Sequence, residues 1–287
     1  MSRRSAAAGV VIVAWLAGLG VLVRQQYFRP QLEQLAEAAL RVSPGAVYYA
    51  VMDGDKQVGF ASSTLDTTAA GISLRDYFLR APTAIDTTDR QLSVTTVGLT
   101  RALRLRAFRI NSTTPGRLAS LIGVVEGDTS IALSDSLRGA ATPIHRVALD
   151  GPVLLPSLIP IAVALGESPK VGKRYALPVF DPAARAERTV AVEITAESSF
   201  VVNDTAVFDS TSARWRPAHP DTLKGWQVAS EGPGGFSGWV DDQGRILTTS
   251  QAGLILRRLP FEVAFENWRL NTAPTAAPAA GPGRPPL

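Results

Sequence analysis

Residues 46–63 read AVYYAVMDGDKQVGFASS, and this stretch decides the fold class. Two runs rich in apolar and β-branched residues, 46–52 and 57–63, flank the tetrapeptide Asp53-Gly54-Asp55-Lys56. Such runs favour strands, and Gly54 can adopt the positive φ that a tight hairpin turn requires. The stretch therefore predicts an antiparallel β-hairpin at the start of the folded body.

Strand-like runs separated by turn residues continue along the rest of the chain, without a fixed repeat period. They predict strands over residues 92–100, 103–110, 118–125, 130–133, 144–149, 174–180, 189–196, 200–202, 206–212, 226–230, 236–240, 245–250 and 254–258. Residues 261–270 are expected to form a short closing helix. The predicted fold is mainly β (α+β): an N-terminal transmembrane helix, then a large curved antiparallel sheet or half-barrel with a few short helices.

An uncharged run, VLLPSLIPIAVAL at residues 153–165, interrupts the strands. It is shorter than a full membrane span, and its two prolines, Pro156 and Pro160, disfavour a regular transmembrane helix. We expect a short helix or kinked pair that covers the β core, or alternatively a lid or a membrane-dipping loop. The apolar side chains that would line a ligand site or form the lid are Leu154, Leu155, Leu158, Ile159 and Ile161.

The N-terminus predicts a membrane anchor over residues 1–23. Arg3 and Arg4 precede eighteen uncharged residues, and a helix of that length spans roughly 27 Å, about the thickness of a bilayer core. Arg24 follows without a small-residue cleavage site, which favours a retained anchor over a secretory signal. The anchor residues are Val10, Val11, Ile12, Trp15, Leu16 and Leu19.

The rest of the chain divides into three parts. Residues 24–45 predict an amphipathic helical stalk, residues 46–270 the β domain, and residues 271–287, which are mostly Pro, Ala and Gly, a disordered tail. The short N-terminal tail before a single span is typical of a signal anchor with an exported body. We therefore expect a single-pass inner-membrane protein whose body lies on the periplasmic side.

Composition and motifs argue against several function classes. The net charge of +4 comes mostly from dispersed arginines rather than a basic cluster, so nucleic acid is not expected as a partner. The chain has no cysteine, and Trp239 stands where a nucleophile elbow around Ser237 needs glycine. His145 and His219 are assigned structural roles. We predict no catalytic residue, cofactor or metal site, although two distant acids could still meet in a cleft.

The segment GWVDDQGRIL at residues 238–247, followed by Gly253-Leu254 and Arg257-Arg258, resembles the end of a known extracytoplasmic region. This is the β-rich N-terminal region of bacterial transglutaminase-like membrane proteins. The opening hairpin and residues 171–182 extend the resemblance. The family's catalytic domain uses a Cys/His/Asp triad, which this cysteine-free chain lacks, so the resemblance implies no such activity. A looser resemblance is to the half-barrel of periplasmic lipoprotein carriers, which implies an acyl-chain site covered by residues 153–165.

These observations predict a membrane-anchored, extracytoplasmic, non-catalytic β domain that binds an apolar ligand or a partner protein in the cell envelope. The expected partner is the bilayer, through the N-terminal helix, and a second candidate partner is a protein in a membrane complex. The alternative is an extrinsic structural or assembly subunit of a larger membrane complex. An enzyme is the third hypothesis.

Overall fold

The computed structural model describes residues 42–68, 70–81, 89–137, 140–166, 168–232, 236–251 and 253–272. The predicted anchor, most of the stalk and residues 273–287 lie outside these ranges. In the described part of the chain, no helix is long and apolar enough to cross a bilayer. At the end of the predicted stalk, residues 42–44 are not helical, and a strand begins at Gly45.

Most of the described residues belong to one antiparallel sheet of fifteen strands, and a separate two-stranded hairpin completes the β structure. The strands are β1 (Gly45–Asp53), β2 (Lys56–Thr68), β3 (Gly71–Arg80), β4 (Gln91–Leu99), β5 (Leu105–Thr114), β6 (Arg117–Glu126), β7 (Ser130–Leu137), β8 (Ala140–Ala141), β9 (His145–Ala148), β10 (Arg174–Asp181), β11 (Ala186–Val202), β12 (Thr205–Asp209), β13 (Arg214–Ala218), β14 (Asp221–Ser230), β15 (Ser237–Val240), β16 (Ile246–Gln251) and β17 (Leu254–Leu259). The predicted large antiparallel sheet with a few short helices is confirmed.

Strand order in the sheet is β10-β11-β14-β15-β16-β17-β1-β2-β3-β4-β5-β6-β7-β8, and β9 also pairs with β7. The first hairpin, β1 and β2, therefore lies in the middle of the sheet, and β17 returns to pair with β1. This return brings the C-terminal strands beside the first ones. This pairing assembles the candidate functional site.

The two ends of the sheet approach each other, so the sheet is strongly curved. Asp135 on β7 forms an ion pair with Arg185 in the β10–β11 turn, and the Phe108 and Phe180 rings lie 5.9 Å apart. Leu154 also forms a parallel bridge beside Val179 of β10. The inner face of the sheet is consequently closed off over much of its area.

The apolar run at residues 153–165 fills the inside of this curve. It forms a 3-10 turn, Pro156–Leu158, and a short helix, α1 (Ile159–Gly166), as predicted for a covering element. Pro156 and Pro160 each lie in the first turn of their helical segment, where a missing N–H costs nothing. The main hydrophobic core lies between this element and the inner face of the sheet.

A second apolar cluster covers the outer face of β1–β3. The chain ends in a π-helical segment, Glu262–Glu266, and a short helix, α2 (Asn267–Thr272). Trp268 and Ala264 pack there against Phe60 and Leu79. Burial on both faces explains why the first hairpin is almost continuously apolar. The first two residues assigned to the predicted tail, Asn271 and Thr272, are the last residues of α2.

Three strands, β3, β8 and β13, were absent from the sequence prediction, and two predicted strands form one continuous strand. β3 contains the charged pair Arg75-Asp76, and β13 contains Pro217 in a hairpin outside the main sheet. The runs 189–196 and 200–202 are both parts of β11, which has a register shift between Ile194 and Ala196.

Candidate functional site

A cavity of about 360 Å³ lies between the inner face of β1–β3, the β15–β16 turn and α1. This volume is within the range of roughly 300–1,000 Å³ that small-molecule sites occupy. Most of the wall is apolar, and its main contributors are Val47, Leu65, Leu74, Phe78, Ile161 and Leu165. The cavity can therefore accept an apolar molecule or one chain of a lipid.

The cavity reaches the protein surface beside the first described residues. Ser43, Gly45 and Ser157 line it and are exposed, whereas the other lining residues are half-buried or buried. Val42, which also lines the cavity, packs against the main core. The opening thus lies where residues 1–41 join the β domain.

One polar pair interrupts the apolar inner face of the first strands. Ser63 on β2 lies directly opposite Asp76 on β3, and its hydroxyl donates a 2.6 Å hydrogen bond to Asp76 Oδ1. Burial raises the pKa of Asp76 to about 6, although the Ser63 hydrogen bond opposes this shift. The register pairs on either side are apolar: Ala61 with Phe78 and Leu65 with Leu74.

A buried phenol lies on the neighbouring strand. Tyr49 of β1 points to the same inner face and pairs in register with Arg258 of β17. Burial raises the pKa of Tyr49 far above its ordinary range, and the positive charge of Arg258 only partly opposes this. Tyr49 is therefore a neutral phenol in this wall of the cavity.

Arg258 is the centre of a buried ionic network. Its side chain is 3% exposed and binds Asp204 through two hydrogen bonds of 2.9 and 2.6 Å. A third bond of 3.0 Å connects Arg258 Nη1 with Asp241, whose side chain is 5% exposed. Burial disfavours the charge of Arg258, but the two carboxylates outweigh it and raise the pKa. Arg258 thus connects β17 with the two segments that contain these acids.

Asp241 also holds the β15–β16 turn that closes the cavity. Its Oδ1 accepts hydrogen bonds from the backbone N–H groups of Gln243 and Arg245, at 3.0 and 2.8 Å. Burial raises the pKa of Asp241 despite these bonds and the nearby Arg258. The ionic network therefore fixes a turn whose residues 243–245 all line the cavity.

The turn packs directly on α1 through Gly244. This residue has φ +72°, and a Cβ added to it would lie 2.5 Å from Ile161 Cα and 2.8 Å from Pro160 O. Contacts this short with backbone atoms require the helix or the turn to move. A glycine is thus required here both by the backbone conformation and by the close approach.

We expect Gly244→Ala to destabilise the protein by about 3 kcal/mol and to displace α1, because it combines backbone strain with overpacking. Gly116→Ala is the matched control, since Gly116 has φ +73° and open space around its Cβ position. The control should lose only about 1 kcal/mol. Urea unfolding of both full-length variants, followed by tryptophan fluorescence, measures the difference. Equal losses would contradict the close packing of turn and helix.

Two further side chains of this turn contribute polar atoms. Gln243 Oε1 is buried and has no hydrogen-bond partner among the described residues. Arg245 donates a 3.2 Å hydrogen bond to the Ser43 carbonyl at the opening, and its guanidinium approaches Gly45. The cavity therefore has acceptors in its interior and a cation near its opening.

The structure separates the five predicted ligand or lid residues into two groups. Ile161 lines the cavity, together with its neighbours Pro160 and Leu165. The other four are 1–2% exposed and belong to the main core: Leu154, Leu155, Leu158 and Ile159. The predicted anchor residues, Val10, Val11, Ile12, Trp15, Leu16 and Leu19, lie outside the described residues.

Sequence reasoning did not identify Tyr49, Ser63, Asp76 or Arg258 as site residues. The one available signal was in Gly71–Arg80, where Leu74, Asp76 and Phe78 alternate on one face of a possible strand. The acid in that row marks a polar position on a buried face. Asp241 stands in a turn-like sequence, Asp241-Asp242-Gln243-Gly244, and its ion pair with Arg258 joins residues 17 positions apart.

The histidines do not join this site. His145 and His219 are both exposed, one on β9 and the other after β13. In the described ranges, no three His, Asp or Glu side chains are grouped so that they could hold a metal ion.

The chain is similar to known proteins at the level of solved structures. No family model matches the chain, and no curated protein matches it. Among solved structures, the chain is similar to a β-barrel-like protein of the domain of unknown function DUF1849 from Brucella abortus. The similarity covers 76% of this chain and 95% of that one, with 15% identity and a TM-score of 0.47.

Proposed function

We propose that this protein is a membrane-anchored, extracytoplasmic, non-catalytic domain that binds one apolar ligand in the cavity between the sheet and α1. The observation that carries the proposal is the apolar cavity of about 360 Å³, which opens beside the residues that follow the predicted anchor and stalk. An opening at this point would take up a ligand from the bilayer surface. A single acyl or isoprenoid chain fits the volume and the apolar wall.

The walls of the cavity are held in place, which favours the binding of a small ligand over contact with a large partner. The glycine contact between the turn and α1 and the ionic network of Arg258 hold two sides of the cavity in place. The sheet forms the third side. A site of this kind is preformed, so a ligand need not order the protein when it binds.

A cavity-filling variant tests the proposal. We expect a hydrocarbon probe that carries a photoactivatable diazirine to label cavity residues of the full-length protein in phosphatidylcholine nanodiscs. Ala61→Phe should reduce this labelling at least tenfold, because Ala61 lines the cavity and a phenyl group would occupy it. Peptide mass spectrometry measures the adducts, with adducts elsewhere on the chain as the internal reference.

The matched control for this variant is Thr64→Phe on the same strand. Thr64 is exposed on the outer face, so the added ring should leave cavity labelling unchanged. Because Ala61 is 4% exposed and overpacking can prevent folding, Ile161→Trp on α1 serves as a second blocking variant. Absence of cavity labelling in the unmodified protein would refute the proposed function.

A structural subunit is the second candidate, and exposed apolar side chains favour it. Val201 at the end of β11 and Val207 and Phe208 on β12 are 49–69% exposed. The β12–β13 hairpin is fixed to the body by Asn267, which exchanges two hydrogen bonds with the Trp215 backbone. Exposed apolar side chains on and beside a fixed hairpin suit contact with a partner protein. Mild solubilisation followed by sizing tests this candidate, which predicts a complex larger than the monomer.

A further inference from the structure

We propose that the ligand of this cavity is an apolar amine or alcohol whose N–H or O–H group donates a hydrogen bond to Asp76. The inference rests on the proposed function and names the ligand class of the same site. It follows from the hydrogen-bonding capacity of the cavity interior, which contains more acceptors than the protein itself satisfies.

Asp76 is the first of these acceptors. An ionised carboxylate offers about four acceptor positions, and the described residues fill one of them, through the Ser63 hydroxyl. No Lys or Arg of the described residues forms an ion pair with Asp76. A carboxylate on a buried strand face without a cation leaves most of its hydrogen-bonding capacity to whatever occupies the cavity.

Gln243 supplies the second acceptor independently. Its buried Oε1 has no partner among the described residues, and the residue lines the same cavity from a different element, the β15–β16 turn. Buried acceptors of this kind are rarely left unsatisfied, because an unpaired acceptor keeps the full cost of its desolvation. An ammonium group has three donors and could bond with more than one acceptor.

Charge distribution supports the same ligand class. Arg258, the buried cation closest in register to Tyr49, is already bound to two carboxylates. Arg245 contacts the backbone at the opening rather than the interior. A carboxylate or phosphate head group would therefore meet repulsion from Asp76 if it entered, and could reach a cation only at the opening. Anionic amphiphiles would bind in the opposite orientation and through Arg245.

Photoactivatable C12 probes distinguish these orientations on the full-length protein in phosphatidylcholine nanodiscs. The three probes are analogues of dodecylamine, dodecanol and dodecanoate with a diazirine in the middle of the chain. We expect Asp76→Asn to reduce cavity labelling by the amine at least tenfold and by the alcohol about threefold. Labelling by the carboxylate should stay unchanged or rise. Comparing each probe between variants removes differences in membrane partitioning.

Asp55→Asn is the control, because it removes an exposed acid in the β1–β2 turn and should leave labelling by the amine unchanged. Arg245→Ala tests the opposite orientation, because it removes the cation at the opening. If Asp76→Asn has no effect on the amine and alcohol, or if dodecanoate labels the cavity most strongly and Arg245→Ala abolishes that labelling, the inference is overturned while the proposed function stands. If the neutral hydrocarbon probe also fails to label the cavity, the proposed function itself fails.

Discussion

Replacing Arg258 with alanine is expected to destabilise the protein by about 3–5 kcal/mol. Removal of one partner from a buried ion pair leaves the other charge desolvated and uncompensated, and such losses are of this size. Here the remaining charge is Asp241, which is 5% exposed. Asp204 is 54% exposed and can be solvated by water instead. The expected loss therefore comes mainly from the Asp241 side of the network.

The matched control is Arg257→Ala on the same strand. Arg257 is exposed and adjacent in sequence, so its removal should change the free energy of unfolding by no more than about 0.5 kcal/mol. Urea unfolding of the full-length variants measures both effects. Arg258→Lys should also destabilise the protein, although less, because a lysine cannot form the bidentate contact with Asp204.

A double variant tests the physical cause. In Arg258→Ala/Asp241→Asn the unpaired buried charge is gone, while the amide oxygen can still accept the two backbone hydrogen bonds of the turn. We expect the double variant to be more stable than Arg258→Ala alone. The effects of the two substitutions are then not additive, as is expected of residues in direct contact. If the second substitution adds a further loss, the capping role of Asp241 outweighs the cost of its charge.

The first hairpin and the meander were predictable because their signals are local. The turn residues between β1 and β2 and the alternating runs of β4–β7 lie within short stretches of chain. β3 was missed because Arg75 and Asp76 interrupt its apolar pattern. In the structure, Arg75 is exposed and Asp76 faces the cavity, so the two charges lie on opposite faces of one strand.

The candidate site could not be predicted from the sequence because its parts are brought together by non-local strand pairing. Tyr49 and Arg258 meet only because β17 returns to pair with β1, and Asp204 lies 54 residues from Arg258. No residue spacing within a short stretch of sequence predicts such contacts. The covering role of residues 153–165 was predictable from length and proline content, but not which side of α1 faces the cavity.

Replacing Asp76 with asparagine is expected to stabilise the protein by about 3 kcal/mol at pH 8. The folded-state pKa of Asp76 is raised to about 6 from the ordinary 3.8, so folding is penalised once the carboxyl is ionised. The folded state binds more protons than the unfolded state between these two values. Stability of the unmodified protein should thus fall as the pH rises from about 4 to 6, and should level off above that range.

Asparagine has no charge to desolvate, and its amide oxygen can still accept the Ser63 hydroxyl. The stabilising effect of Asp76→Asn should therefore vanish near pH 4 and reach its full size above pH 7. Urea unfolding of the full-length protein at pH 4 and pH 8 measures both limits, and Asp55→Asn should change neither. A loss of stability at pH 8 would mean that the carboxylate is satisfied within the folded protein.

The same variant links stability to the proposed ligand. An acid that lowers the stability of the unliganded protein at neutral pH is typical of functional sites, where such costs concentrate. Dodecylamine should raise the unfolding midpoint of the unmodified protein at pH 8 more than that of Asp76→Asn, because its ammonium group supplies the missing donors to the carboxylate. If dodecylamine shifts the unfolding midpoint of both proteins equally, Asp76 lowers the stability of the protein but does not recognise the ligand.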